Sequence, residues 1–177
     1  MNYAKIKPFD VSNGPGVRVS LYVSGCRNRC KNCFNPETWD FGYGEPFTKE
    51  VENSIIESMK PDYIKGFTLL GGDPFEPENQ VVLAPFLERL RKAYPKKSLW
   101  AFTGYDFEAH LLTGKLGDVD TVMRMLKCLD VLVDGKFVEE LKDLNLLFRG
   151  SSNQRIILVK PTLKQDKIVL WDEQTIV

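Results

Sequence analysis

Three of the chain's four cysteines stand in one short run, Gly25-Cys26-Arg27-Asn28-Arg29-Cys30-Lys31-Asn32-Cys33, directly after an alternating apolar segment. Val17, Val19, Leu21 and Val23 fall on one side of that segment and Arg18, Ser20, Tyr22 and Ser24 on the other, the two-residue period of a strand. A strand ending in such a loop holds three thiols near one point, so the fold must gather ligands at strand ends. Cysteines packed this closely do not read as the disulfide framework of a secreted domain.

Four further β-rich runs follow, Gly66–Leu70, Ser98–Phe102, Val131–Val133 and Arg155–Val159, and helical patterns separate most of them. Lys49–Lys60 carries Val51, Ile55, Ile56 and Met59 on one face and stops at Pro61. Gln80–Tyr94 carries Leu83, Leu87, Leu90 and Tyr94, with Pro85 either kinking it or marking its first turn. Shorter helices are predicted at Asp106–Leu112, Asp120–Cys128 and Lys136–Leu141, and a terminal hairpin over residues 155–172 that turns at Pro161–Asp166. Strand and helix in alternation predict an α/β fold with a mostly parallel sheet. A closed eight-stranded (β/α) barrel takes about 250 residues. The 177 present therefore predict one domain over 1–177, an open sheet or partial (open) β/α barrel with ligands at the carboxyl ends of its strands.

Lys+Arg and Asp+Glu both total 24, so the net charge is zero and the basic footprint of a nucleic-acid or membrane-surface binder is missing. The longest apolar stretch, Val81–Leu87, is interrupted by Pro85 and is too short to span a bilayer. MNYAKIKPFD has no apolar leader core, and the expectation is a cytoplasmic protein.

Structural zinc wants four protein ligands, usually as two pairs. Here the cysteine run has no second pair, leaving Cys128 or His110 to complete a zinc loop, or three plain reduced thiols. Three thiolates also suit a [4Fe–4S] cluster with one iron open to an outside ligand, whereas ferredoxin motifs supply a fourth cysteine nearby. Arg27, Arg29 and Lys31 between the cysteines either favour thiolates or form a solvated basic loop. Cys128 lies in an apolar setting that suits a buried small side chain, and His110 suits a helix surface. The next strand ends in Leu70-Gly71-Gly72-Asp73-Pro74, where paired glycines let backbone approach a ligand closely. Thr103, Asp134 and Lys136 are polar groups at the later strand ends, each equally suited to a capping or turn role. No Ser–His–Asp arrangement, P-loop or dinucleotide fingerprint is present.

The Cys-x3-Cys-x2-Cys run of Cys26, Cys30 and Cys33 resembles that of the radical S-adenosylmethionine (SAM) enzymes, and Gly71-Gly72-Asp73-Pro74 resembles their Gly-Gly-Glu-Pro motif, with Asp73 for the usual Glu. Many members carry an aromatic residue just before the third cysteine; here Asn32 holds that place and Phe34 follows. The resemblance implies a [4Fe–4S] cluster on Cys26, Cys30 and Cys33 and SAM on the open iron. It further implies SAM contacts from Asn32, Cys33, Phe34, Gly71, Gly72, Asp73, Thr103, Asp134 and Lys136, with no side-chain acid or base.

Asn13-Gly14-Pro15-Gly16-Val17-Arg18, Thr38-Trp39, Val131–Phe137 and Phe148–Arg155 narrow the likeness. With them the chain resembles the activating proteins of anaerobic (class III) ribonucleoside-triphosphate reductases from Met1 to about Ile157. That resemblance implies generation of a glycyl radical on the reductase, with flavodoxin or ferredoxin as electron donor. Activation of another glycyl-radical enzyme such as pyruvate formate-lyase, and a non-catalytic zinc-binding interaction module, are the competing readings.

Overall fold

The computed structural model describes residues 1–172, and the alternating run at Val17–Val23 is an interior strand of its sheet. In chain order the strands are Asn2–Asp10 (β1), Val17–Val23 (β2), Glu45–Pro46 (β3), Ile64–Gly71 (β4), Ser98–Phe102 (β5), Val131–Asp134 (β6) and Arg155–Leu158 (β7). They lie in the order β3-β1-β2-β4-β5-β6-β7. β2, β4, β5 and β6 run parallel, while β1, β3 and β7 join antiparallel at the flanks. The result is a mixed α/β sheet, parallel in its middle. Residues 173–177, the end of the expected domain, lie outside the described residues.

The helices are Lys49–Ser58 (α1), Pro77–Ala93 (α2), Val119–Cys128 (α3) and Val159–Gln165 (α4). Ile55 of α1, Leu83, Phe86, Leu87 and Leu90 of α2, and Val122, Met125 and Leu126 of α3 bury one side of the sheet. Their counterparts are Val19, Leu21, Val23, Phe67, Leu69, Leu99 and Ala101. Alternation puts Arg18, Ser20, Tyr22, Leu70, Trp100 and Phe102 on the opposite side. There a smaller cluster forms around Trp100, Val131, Val133 and Ile156, packed by Phe148 and Trp171. Helices thus cover one face, and loops are left to cover the other.

Arg18 is fully buried on that second face and ties three strands together. Its guanidinium donates to Thr68 Oγ1 at 2.7 Å, Phe67 O at 2.8 Å, Ser98 Oγ at 2.9 Å and O at 3.0 Å, and Pro15 O at 3.2 Å. Burial pulls its pKa down to about 10, against the attraction of Asp130 and Asp10.

Several elements differ from the sequence expectation for identifiable reasons. β1 was not anticipated, because Lys5, Lys7 and Pro8 disguise a half-exposed strand near the sheet edge. Pro77 opens α2 and Pro85 sits inside it, so Pro85 is not the first turn. Asp106–Leu112 contains a short π-helical turn at Phe107–Leu111, and Lys136–Leu141 only a 3-10 turn at Glu139–Leu141. The expected turn at Pro161–Asp166 is largely α4, which ends at left-handed Asp166. The chain then returns beside β7 through a single antiparallel bridge, Ile157 to Leu170.

Candidate functional site

The cysteine loop is bolted to its neighbours by backbone. Gly25 N–H donates to Thr38 O at 2.8 Å, Cys26 N–H to Trp39 O at 3.3 Å and Asp73 N–H to Gly25 O at 2.8 Å. Gly72 N–H donates to Val23 O at 2.7 Å, so the end of β4 and the loop after β2 move as one piece. α2 fastens the same corner, its buried Asn79 amide donating to Ser24 O at 3.0 Å and Asp73 O at 2.9 Å. Arg29 and Asn32 adopt left-handed backbone, φ 43° and 54°, and turn the loop between its cysteines. Glu76, fully buried at the head of α2, takes the Arg27 N–H at 2.6 Å and the Tyr105 hydroxyl at 2.8 Å.

No disulfide links the four cysteines; Cys30 is buried, and Cys26 and Cys33 are half-buried. Burial, then the nearby Asp73 carboxylate, push the Cys26 thiol up to about 11, against N–H groups of Asn28 and Arg29. Burial also raises Cys30, opposed by the Phe137 N–H and the Lys136 ammonium. N–H groups aimed at sulfur favour thiolate and tune a bound iron–sulfur cluster. Without a cation these thiols stay protonated at neutral pH, so iron would be what ionises them.

Neither candidate for a fourth zinc ligand lines the site. Cys128 belongs to the core under the helices, and His110 Nδ1 accepts the Asp106 N–H at 3.1 Å. Three thiols on one loop, with neither candidate for a fourth ligand beside them, are a donor set that suits a cluster with one open iron.

Beside the thiols lies a cleft of about 660 Å³. Cys26, Cys30, Cys33, Phe34, Gly71, Gly72, Asp73 and Thr103 all line it, joined by Gly104, Gly135 and Phe137 from neighbouring strand ends. A far wall carries Lys5 and Lys7, whose ammonium groups lie 4.6 and 5.4 Å from the Tyr22 ring centre. Strand ends and the cysteine loop thus converge on one cavity of ordinary small-molecule size.

The structure alters the roles of several predicted residues. Asp73 is fully buried and accepts from Phe75 N at 3.0 Å, Gly104 N at 2.9 Å, Asn28 Nδ2 at 2.9 Å and Thr103 Oγ1 at 2.9 Å. Burial pushes its pKa up to about 7 despite those bonds. Its carboxylate joins strand ends to the cysteine loop, where a ligand contact was expected. The glycines serve the same contact: a Cβ on Gly72 would stand 2.5 Å from Gly25 O, and one on Gly71, at φ +108°, 2.7 Å from Val23 N.

Asn32, Asp134 and Lys136 do not line the cleft. Asn32 turns the loop; Lys136 is exposed and acts on Cys30 only through space. Asp134, 1% exposed, accepts the Phe107 N–H at 2.9 Å and pairs with Arg155. Arg155 also binds Asp106 and Glu108, so the one described carboxylate cluster of metal-site spacing already holds a cation. Sequence reasoning missed Glu76, Asn28 and Arg155. Glu76 alone had a local signal, standing before Pro77 at a helix start.

A family model described as a 4Fe-4S single cluster domain matches residues 12–157. The chain is 44% identical over 159 residues to the anaerobic ribonucleoside-triphosphate reductase-activating protein of Haemophilus influenzae, covering 88% of this chain and 97% of that one. A protein of the same name from Escherichia coli (strain K12) is 43% identical over 157 residues, 87% of this chain and 96% of the relative. Its namesake from Enterobacteria phage T4 is 38% identical over 156 residues, 88% and 93%.

Proposed function

Since this chain belongs to the anaerobic ribonucleoside-triphosphate reductase-activating proteins and carries their iron–sulfur cluster domain, we propose that it is a radical SAM activase. Its target is the anaerobic reductase, on which it generates a glycyl radical. The observation that carries this reading is the cysteine loop locked edge-on to the Gly71–Asp73 strand end, with both opening on one cleft.

In this reading Cys26, Cys30 and Cys33 hold a [4Fe–4S] cluster. The cluster and SAM supply, when bound, one-electron cleavage of the sulfonium S–C5′ bond, giving methionine and a 5′-deoxyadenosyl radical that takes a hydrogen atom from a reductase glycine. The chain's own residues bind, orient and exclude water. The backbone of Gly71 and Gly72 and the Phe34 ring offer contacts to SAM, while Asp73 and Thr103 hold the strand ends that present them. Asn32, Asp134 and Lys136 are assigned no cofactor contact. No side chain is assigned a proton transfer.

The open sheet is read as a partial β/α barrel of the radical SAM type, and flavodoxin or ferredoxin as the electron donor in the cytoplasm. Among the described residues no helix is long and apolar enough to cross a membrane. Anaerobic reconstitution followed by electron paramagnetic resonance with SAM, reductant and reductase tests the proposal. A glycyl signal on the reductase is expected; zinc without iron and sulfide, or no such signal from an iron-loaded chain, refutes it.

A further inference from the structure

Trp171 lies past the family-model match, which stops at residue 157. Beyond β7 the chain passes through α4 and returns antiparallel to the strand it left. Leu158 N–H donates to Val169 O at 2.8 Å and Trp171 N–H to Ile156 O at 2.8 Å. That return carries the Trp171 ring to the sheet face that the helices leave uncovered. There its centroid is 6.1 Å from that of Trp100 and 5.9 Å from that of Phe148, and Phe148 stands 5.5 Å from Trp100. All three pairs are edge-on, the arrangement aromatic quadrupoles favour. Only Trp100 belongs to the sheet.

Phe148 belongs to segment 143–150, which forms one wall of the cleft through Asp143, Leu144, Leu146, Phe148, Arg149 and Gly150. Its φ of +54° lies in the left-handed region, which a bulky L residue occupies only where its surroundings enforce it. Besides hydrogen bonds from Arg149 Nη1 to Gln154 O at 2.9 Å, from Gly150 N to Gln154 Oε1 at 2.8 Å and from Asp143 N to Gly150 O at 3.3 Å, two packing contacts hold the segment's carboxyl end. At one, a Cβ on Gly150 would stand 3.0 Å from the Phe137 ring and 3.3 Å from that of Phe34, beside Cys33. At the other, Phe148 is wedged between Trp100 and Trp171. Leu144, four residues before Phe148, is 86% exposed at the cleft.

We propose that Trp171 is a positioning residue that clamps Phe148 in its left-handed conformation and so fixes the 143–150 wall against which the reductase's glycine-bearing segment is received. The identity of that protein substrate rests on the activity proposed above; the clamp itself does not. Trp171 does not line the cleft, so its effect passes through Phe148.

Trp171→Ala and Trp171→Phe in the full, cluster-reconstituted chain separate the two parts. Amide hydrogen exchange over 143–150 needs neither SAM nor reductase; it is expected to speed up about tenfold in the Ala variant and to recover in the Phe variant. In turnover, the Ala variant's KM for reductase should rise about tenfold, while SAM cleavage without reductase stays within about twofold of the parent. Unchanged exchange in a Trp171→Ala chain that still melts cooperatively overturns the clamp. Parallel loss of SAM cleavage and reductase activation overturns the positioning role. A parent chain that cleaves no SAM refutes the proposed activity instead, and the exchange measurement still decides the clamp.

Discussion

Replacing Gly72 with Ala adds one methyl group at a position where φ demands nothing special, so its effect is steric. The new Cβ would sit 2.5 Å from Gly25 O and 2.9 Å from Thr38 O, whereas ordinary contact begins at 3.4 Å. Both neighbours are backbone and both are hydrogen-bonded. The relief available is to push the cysteine loop nearly 1 Å away from β4, stretching the 2.8 Å bonds from Asp73 N to Gly25 O and from Gly25 N to Thr38 O. Overpacking of this kind costs about 1–3 kcal/mol, and two weakened buried hydrogen bonds about 1 kcal/mol each. A loss of about 3–5 kcal/mol follows, which for this chain length lowers the melting temperature by about 6–20 °C. Because Cys26 follows Gly25, the same displacement shifts one of the three proposed cluster ligands. Iron and acid-labile sulfide after anaerobic reconstitution, read beside a thermal melt, are the assay. A variant that retains a full cluster and the parental melting temperature, yet loses only affinity for SAM, would show that Gly72 serves the ligand and not the loop.

Ala at Cys26, Cys30 or Cys33 should each abolish cluster retention and SAM cleavage, while Cys128→Ala, in the core, should keep both at a cost of about 1 kcal/mol by urea titration. Arg155→Met should destabilise the fold by about 2–4 kcal/mol, because the buried Asp134 carboxylate loses its cation; an unchanged denaturation midpoint would contradict that. The Asp130 carboxyl is half-buried, and burial alone would raise it, yet Lys160, the Leu99 N–H and Arg91 hold it below the ordinary carboxylate range. Its contribution is therefore present above the unfolded pKa of about 3.9 and fades as pH falls through the lower folded value. Asp130→Asn should accordingly be less stable than the parent at pH 7, with the gap narrowing below about pH 4; a constant gap in urea melts at both pH values would refute the linkage.

Legibility from sequence tracked how local the determining contacts are. The strand at Val17–Val23, the helix at Lys49 and the strand at Ser98–Phe102 are written in their own periodicity and observed where that periodicity put them. β1 is not, because its Lys5 and Lys7 face a cleft whose other walls come from far along the chain. The site divides the same way. The cysteine spacing and the glycine pair are visible as motifs, but their physical roles are fixed by long-range partners. That Asp73 also ties strand ends to the cysteine loop is invisible in sequence, because nothing nearby announces Thr103, Gly104 and Asn28 as its hydrogen-bond donors. Asp134 reads as a cofactor contact for the same reason, its partner Arg155 lying across a separate strand pairing. Glu76 went unnoticed because its ties to Arg27 and Tyr105 exist only in the folded chain.

The run Asn13-Gly14-Pro15-Gly16-Val17-Arg18, one of the features by which the chain resembles reductase activators, takes on a different meaning once Arg18 is in view. Pro15 offers its carbonyl to the guanidinium, and a Cβ on Gly14 would stand 2.9 Å from Arg18 Nε. Gly66, on the neighbouring strand, is bare for Ser98 O and for the same cation, since a Cβ there would meet the first at 2.2 Å and Arg18 Nη2 at 2.6 Å. Thr68 and Ser98 supply the hydroxyls. What looks like a signature of activity is thus in large part the imprint of a single solder joint across three strands, and of its six residues Asn13 alone also lines the cleft. A search that scores this run would sort chains by skeleton and would accept one that had lost its cysteines. The mark of the proposed chemistry is narrower: the three thiols, and the glycine pressed against the loop that bears them.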